Sequence, residues 1–238
     1  MNFVLIHGGF HGGWCWRFVA ARLRALGHQV SCPTHTGMGE RRHLLRADLT
    51  LDTFAQDILA HLYEEELTEV VLVGHSFGGL SVSLVADRVP ERIRHLVYLD
   101  ALLIAPGQTP YGALPPEVIE QRKKSCVEYQ GVRCFPPLPA TAFGLPADHP
   151  HAGWLSRHLC PQPESLYEST LNIKNPIGNG LPCTYMACTD PVLPSVQASQ
   201  AFAKSQSRWQ YVEVVACHDV MVTEPDLLAS MLLDCVPA

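Results

Sequence analysis

The 238-residue sequence has no apolar run approaching the roughly 18–20 residues needed to cross a bilayer, so no membrane span is expected. It has no basic excess either. Seventeen Lys and Arg stand against 23 Asp and Glu, a formal charge of −6, which leaves no electrostatic footprint for nucleic acid. Charged residues are scarce at 17% while hydrophobic residues reach 47%, the reverse of a disordered chain. None of the nine cysteines falls in a CxxC pair, and the repeated close Cys/His pairs of a zinc site are missing, so no metal is expected. The first strand-like residues, Asn2 to Ile6, leave no room for a signal peptide. The expectation is therefore an intracellular, cytoplasmic protein with reduced thiols. Cys32, Cys183, Cys188 and Cys217 lie in or beside apolar runs, where free cysteine packs as a small hydrophobe. No internal repeat is present.

What is present is an alternation of short apolar runs and longer amphipathic stretches. Phe3 to Ile6 stops at His7-Gly8-Gly9, and Trp14 to Leu26 carries helical spacing up to Gly27. Gln29 to Cys32 is a second short run, and Leu51 to Leu67 reads as a helix with Asp52 as a candidate cap. Val70-Val71-Leu72-Val73 is unbroken and β-branched, as in a strand buried on both faces. Phe77 to Arg88 reads as the next helix and Ile93 to Leu99 as the next strand. This order predicts an α/β fold, a mostly parallel sheet with helices on both faces.

After Asp100 the rhythm breaks. Prolines and glycines crowd residues 102–180, with short helices predicted around Glu117–Tyr129, Gly153–His158 and Ser165–Ser169. A structureless loop of that length does not suit a compact domain, so 102–180 is expected to be an inserted helical cap on a core of 1–101 and 181–238. Alternation resumes with a strand at Cys183–Cys188, a helix near Ser195–Lys204, a strand at Trp209–Ala216 and a helix at Asp226–Leu233.

Gly74-His75-Ser76-Phe77-Gly78 fits G-x-S-x-G, follows the most strand-like run in the chain and opens a helix. That context is what a nucleophile elbow requires: a sharp strand-to-helix turn lifts the central serine clear of the sheet. Small residues at 74 and 78 let the flanking backbone pass closely. A serine hydroxyl needs a base, which in this topology follows the last strand; His218 stands there and is the only histidine beyond His158. The base needs a carboxylate. Asp190, after Cys183–Cys188, fits the order Ser…Asp…His and is preferred; Asp100, at the end of the preceding strand, is its rival. Asp219, adjacent to His218, is expected to point away. The oxyanion needs N–H donors, and His7-Gly8-Gly9-Phe10 after the first strand, with Phe77 after the serine, stands where they are wanted.

With these motifs in place the chain resembles the α/β-hydrolase superfamily over its full length. The stretch from Phe3 through His11-Gly12-Gly13 to Trp14, with Gly74–Gly79 and the tail around His218, resembles the branch of plant methylesterases, hydroxynitrile lyases and small bacterial esterases, carbendazim-hydrolysing ones included. The 136–144 stretch, Trp154 and Pro161-Gln162-Pro163 are most similar to the bacterial esterases. The resemblance implies a six-stranded sheet under a cap, a triad of Ser76, His218 and Asp190, and oxyanion N–H groups from Gly9 and Phe77. Hydroxynitrile lyases carry a lysine after the histidine and a threonine after the first-strand histidine; Asp219 and Gly8 stand at those positions here. The expected activity is hydrolysis of a small apolar or aromatic ester, or a carbamate, without cofactor, by a monomer or homodimer. Tyr111, Phe143 and Trp154, with His11, are the candidate pocket residues. The alternatives are a weakly catalytic or non-catalytic binding protein, or a cofactor-free lyase or tailoring enzyme.

Overall fold

The computed structural model describes residues 1–236. The chain runs β1 (Asn2–Ile6), α1 (Arg17–Ala25), β2 (Gln29–Ser31), α2 (Leu51–Glu64), β3 (Val70–His75), α3 (Gly78–Arg88) and β4 (Ile93–Leu99). A long excursion follows, holding α4 (Pro116–Ser125), β5 (Val127–Tyr129), β6 (Val132–Phe135), α5 (Ala152–His158), β7 (Gln162–Pro163) and α6 (Ser165–Glu168). The chain then returns through β8 (Cys183–Cys188), α7 (Gln197–Lys204), β9 (Gln210–Val214), α8 (Val220–Thr223) and α9 (Pro225–Asp234). Six strands form one sheet in the order β2-β1-β3-β4-β8-β9, and every pairing within it is parallel.

Strand alternation sorts the core into two apolar layers. Val4, Ile6, Leu72 and Leu96 face α2 and α3, packing with Phe54, Ile58, Leu80 and Leu84. Phe3, Leu5, Val71, Val73 and Val97 face the other side, against Val19 and Leu23 of α1 and Leu228 and Leu232 of α9. Both faces of β3 are therefore sealed, which explains why its sequence does not alternate. Each such fully buried side chain contributes about 1.5–3 kcal/mol. Helix α2 starts on a reciprocal cap between Thr50 and Thr53, so Thr50 rather than Asp52 is its N-cap.

The excursion is less helical than the sequence implies. The helix predicted over Glu117–Tyr129 ends at Ser125, and Val127–Tyr129 pairs antiparallel with β6. The reason is the turn: Gln130 and Gly131 both take positive φ, 51° and 75°, which closes a tight hairpin. With β7 these strands make a second, three-stranded antiparallel sheet in the order β5-β6-β7.

In the main sheet the chain leaves β1 toward β2 and then crosses back to place β3 on β1's other side. Such a reversal opens a crevice at the carboxyl ends of β1 and β3. The excursion lies over that edge, since the N–H of Cys160 bonds to the carbonyl of Phe10 just after β1 (2.8 Å).

Candidate active site

Ser76 sits between β3 and α3 with φ of +51°, in the left-handed region that a serine enters only under constraint. The constraint is visible. Its N–H bonds to the Leu99 carbonyl (3.1 Å), and its own carbonyl accepts from Gly79 N–H (3.0 Å) and Leu102 N–H (2.8 Å). A Cβ on Gly78 would stand 2.5 Å from the His7 carbonyl oxygen, so only glycine lets β1's exit loop pass this close to the elbow. Among the described residues, the Phe77 and Gly9 N–H groups have no protein acceptor.

His218 follows β9, is 1% exposed and lines the same cavity as Ser76, Gly9 and Phe77. Its Nδ1–H donates to Asp100 Oδ2 at 2.6 Å, while its Nε2 is buried with no protein partner. His75 Nε2–H donates to the His218 carbonyl at 3.0 Å, pinning that backbone from behind. The Phe143 ring lies nearly parallel to the His218 imidazole, 13° between planes.

The carboxylate bonded to His218 is thus Asp100, not the expected Asp190. Asp100 is fully buried and takes two further donors, Gln200 Nε2 (2.7 Å) and Cys188 N–H (3.2 Å), on its other oxygen. Those three bonds are what make a buried charge tolerable. Asp190 lies close by, its N–H on the Ala216 carbonyl (3.1 Å), but its side chain is exposed. Chain order counts strand ends; it does not say which carboxylate has its desolvation compensated. Gln200 carries no local sequence signal for this role.

His11, expected in the pocket, lies behind it. Its Nε2 faces Asp219 Oδ2 at 3.2 Å and its Nδ1 faces the Gly9 carbonyl at 2.6 Å, so both nitrogens act as donors and the ring is an imidazolium. Burial alone would lower the His11 pKa, but the Asp219 carboxylate and the Gly9 carbonyl outweigh it and raise it. Asp219, pushed up by burial, is pulled below the usual carboxylate range by His11. As expected, Asp219 does not bond to the His218 ring; its partner is His11, which adjacency in sequence does not reveal.

His7 has a fixed tautomer as well. The His35 N–H donates to its Nε2 (3.1 Å), so Nδ1 carries the proton and donates to the Gly8 carbonyl (2.8 Å). Burial and the nearby His35 hold it well below the usual histidine pKa, hence neutral. Because a peptide's C=O and N–H point oppositely, holding the Gly8 carbonyl also sets the direction of the Gly9 N–H.

Ser76 and His218 open onto a cavity of about 500 Å³. Its wall is mostly apolar, with Leu102, Leu114, Phe135, Leu138, Phe143 and Tyr167, and Arg122 at one side. Of the candidate pocket residues, Phe143 lines it. Tyr111 stands behind Phe135 and Tyr167 with its hydroxyl on Glu164 (3.0 Å), and Trp154 packs on Trp14 and Phe18 away from the cavity. Among the described residues, His75, His218 and Asp219 offer ligand atoms within 4.8 Å of one another. Each already uses a side-chain atom internally, on the His218 carbonyl, Asp100 and His11, so the trio serves as the rear scaffold of the site.

A serine on a strained bend, an imidazole backed by a buried carboxylate and two free N–H groups at one crevice place this fold. The chain belongs to the alpha/beta hydrolase family, whose sequence pattern it matches over residues 3–231. A carbendazim hydrolyzing esterase of Nocardioides sp. (strain SG-4G) is 40% identical over 97% of this chain and 98% of its own. An alpha-hydroxynitrile lyase of Arabidopsis thaliana is 36% identical over 43% of this chain and 40% of its own. The solved structure of an extracellular alpha/beta-hydrolase from a Paenibacillus species superposes with a TM-score of 0.82 at 21% identity, covering 100% of both chains.

Proposed function

We propose that this hydrolase is a serine esterase in which Ser76, His218 and Asp100 act together. The observation that carries the reading is the state of His218. Asp100 holds its Nδ1–H at 2.6 Å, and the opposite nitrogen, Nε2, is left without a protein partner on the cavity that Ser76 lines. An imidazole so held presents a lone pair to a hydroxyl. The 40% identity to a carbendazim hydrolyzing esterase along nearly the whole of both chains supports ester cleavage.

Ser76 Oγ attacks the ester carbonyl as His218 Nε2 takes its proton. The carbonyl oxygen becomes an oxyanion held by the N–H groups of Gly9 and Phe77, with the start of α3 adding its positive end. The imidazolium then protonates the departing alcohol, leaving an acyl-serine. Water, deprotonated by the same nitrogen, attacks the acyl carbon, and collapse of the second oxyanion releases the acid. No step calls for a metal or cofactor. Residues 102–180 act as the cap over a core of 1–101 and 181–238, and the apolar wall fits a small apolar or aromatic ester; a carbamate would pass through the same steps.

The test is turnover of p-nitrophenyl butyrate with labelling by a fluorophosphonate. The wild type is expected to hydrolyse the ester and take up one label on Ser76. Ser76→Ala is expected to lose at least about 10³-fold in kcat and all labelling. Equal turnover in the two proteins would end the reading.

A further inference from the structure

Among the contacts the cap makes with the oxyanion loop, one uses a polar side chain that nothing in the mechanism employs. Gln162, on β7, is 0% exposed, and its Oε1 accepts the Phe10 N–H at 2.7 Å. Since an N–H can only donate, the atom facing it is the amide oxygen. Two residues earlier in the same segment, the Cys160 N–H donates to the Phe10 carbonyl at 2.8 Å. Phe10 is therefore gripped at both its main-chain polar groups by 160–162. It needs gripping: φ of +65° is an unfavourable conformation for a bulky residue.

The neighbouring peptides complete the arrangement. The Gly9 carbonyl is held by His11 and the Gly8 carbonyl by His7, so the peptides on either side of Gly9 are both fixed and the Gly9 N–H alone is free. The Gln162 amide lies directly over Gly9, where a Cβ would fall 2.8 Å from Oε1 and 3.3 Å from Nε2. Gln162 does not itself line the cavity, and its Nε2 is buried without a protein partner. Its own backbone is paired in register with Phe135, which is part of the cavity wall.

We propose that Gln162 is a positioning residue for the oxyanion site: by holding the Phe10 N–H from the cap, it keeps the strained Gly9–Phe10 turn in the conformation that aims the Gly9 N–H at the reacting oxygen. The cap is then part of the catalytic assembly as well as a wall for the substrate. This rests on the esterase reading, specifically on Gly9 as an oxyanion donor. Loss of the grip lets the turn relax, which weakens a contact made in the transition state and leaves ground-state binding in the apolar cavity untouched.

The experiment measures kcat and KM for p-nitrophenyl butyrate per fluorophosphonate-titrated serine, so that misfolded protein does not count. Gln162→Met keeps length and removes the acceptor. Gln162→His restores an acceptor nitrogen the same number of bonds from Cα, and Gln162→Asn keeps the amide one bond short. The Met and Asn variants are expected to lose about 10- to 100-fold in kcat with KM within about twofold, and the His variant to stay within about threefold of wild type. Unchanged kcat in the Met variant, or a rise in KM alone, overturns the proposal while leaving the esterase reading in place. Should the Met variant not fold, equal kcat in the His and Asn variants overturns it. A wild type that neither turns over nor labels overturns the esterase reading instead.

Discussion

At the scale of single residues, burial and partnership decide which carboxylate backs His218. Asp100 sits in the interior with three donors, whereas Asp190 remains in water. Replacing Asp100 by Asn removes the acceptor that fixes the His218 tautomer, and about a 10⁴-fold fall in kcat is the expected scale. Asp190→Asn is expected to stay within about twofold of wild type. Steady-state kinetics on the two variants checks this, and a collapse in the Asp190 variant alone would contradict it. Ser76 at the elbow and His218 beside the cavity were legible in the sequence because a motif and a lone downstream histidine marked them. The carboxylate that His218 bonds was not, because Asp100 and Asp190 both follow strands, and desolvation is invisible in one dimension.

At the scale of elements, the elbow and the helix caps make different demands on the chain. A Cβ at Gly78 would meet backbone, the His7 carbonyl, at 2.5 Å, so β1's exit loop would have to move. Gly78→Ala is expected to lower both stability and kcat, the latter by about tenfold or more, since it displaces β1's exit loop from Ser76. Thr50→Ala deletes the N-cap of α2 at a residue outside the cavity wall, and is expected to cost about 1 kcal/mol with kcat unchanged. Urea melts beside kinetics separate the two. Strand and helix identities in the core followed from apolar patterning. Outside the core, Val127–Tyr129, read as helix, became a strand because Gln130-Gly131 folds the chain back at once, and a turn of that kind overrides a helical reading of what precedes it.

At the scale of the molecule, buried histidines set the pH range of stability. His7, His35 and His75 are lowered chiefly by burial, so in the folded state they bind protons less readily than in the unfolded chain. Below about pH 6.5 the unfolded state takes up more protons at these three sites, and stability falls with falling pH. His11 works in the opposite sense. Burial lowers it but Asp219 raises it further, so its contribution is complete below about pH 6.5 and is lost as pH rises through its folded value. Asp57 and Asp219, lowered against their burial by His35 and His11 respectively, add a loss as pH falls through their folded values, below the usual carboxylate range. Stability is therefore expected to peak near pH 6.5, with the steeper slope on the acid side. Denaturation free energies at pH 5, 6.5 and 8 test this; a maximum at pH 5 would refute it.

The sequence by itself determined the parallel sheet, the serine at the elbow and the histidine after the last strand, because each depends on interactions within a few residues: apolar period, turn sterics and the residue that follows a strand. Tertiary structure alone decided the pairings His218–Asp100, Phe10–Gln162 and His11–Asp219, separated by 118, 152 and 208 positions. These form because a buried charge or strained peptide must find a partner wherever the packed elements place one, and that placement belongs to the folded sheet and the excursion beside it rather than to any local pattern.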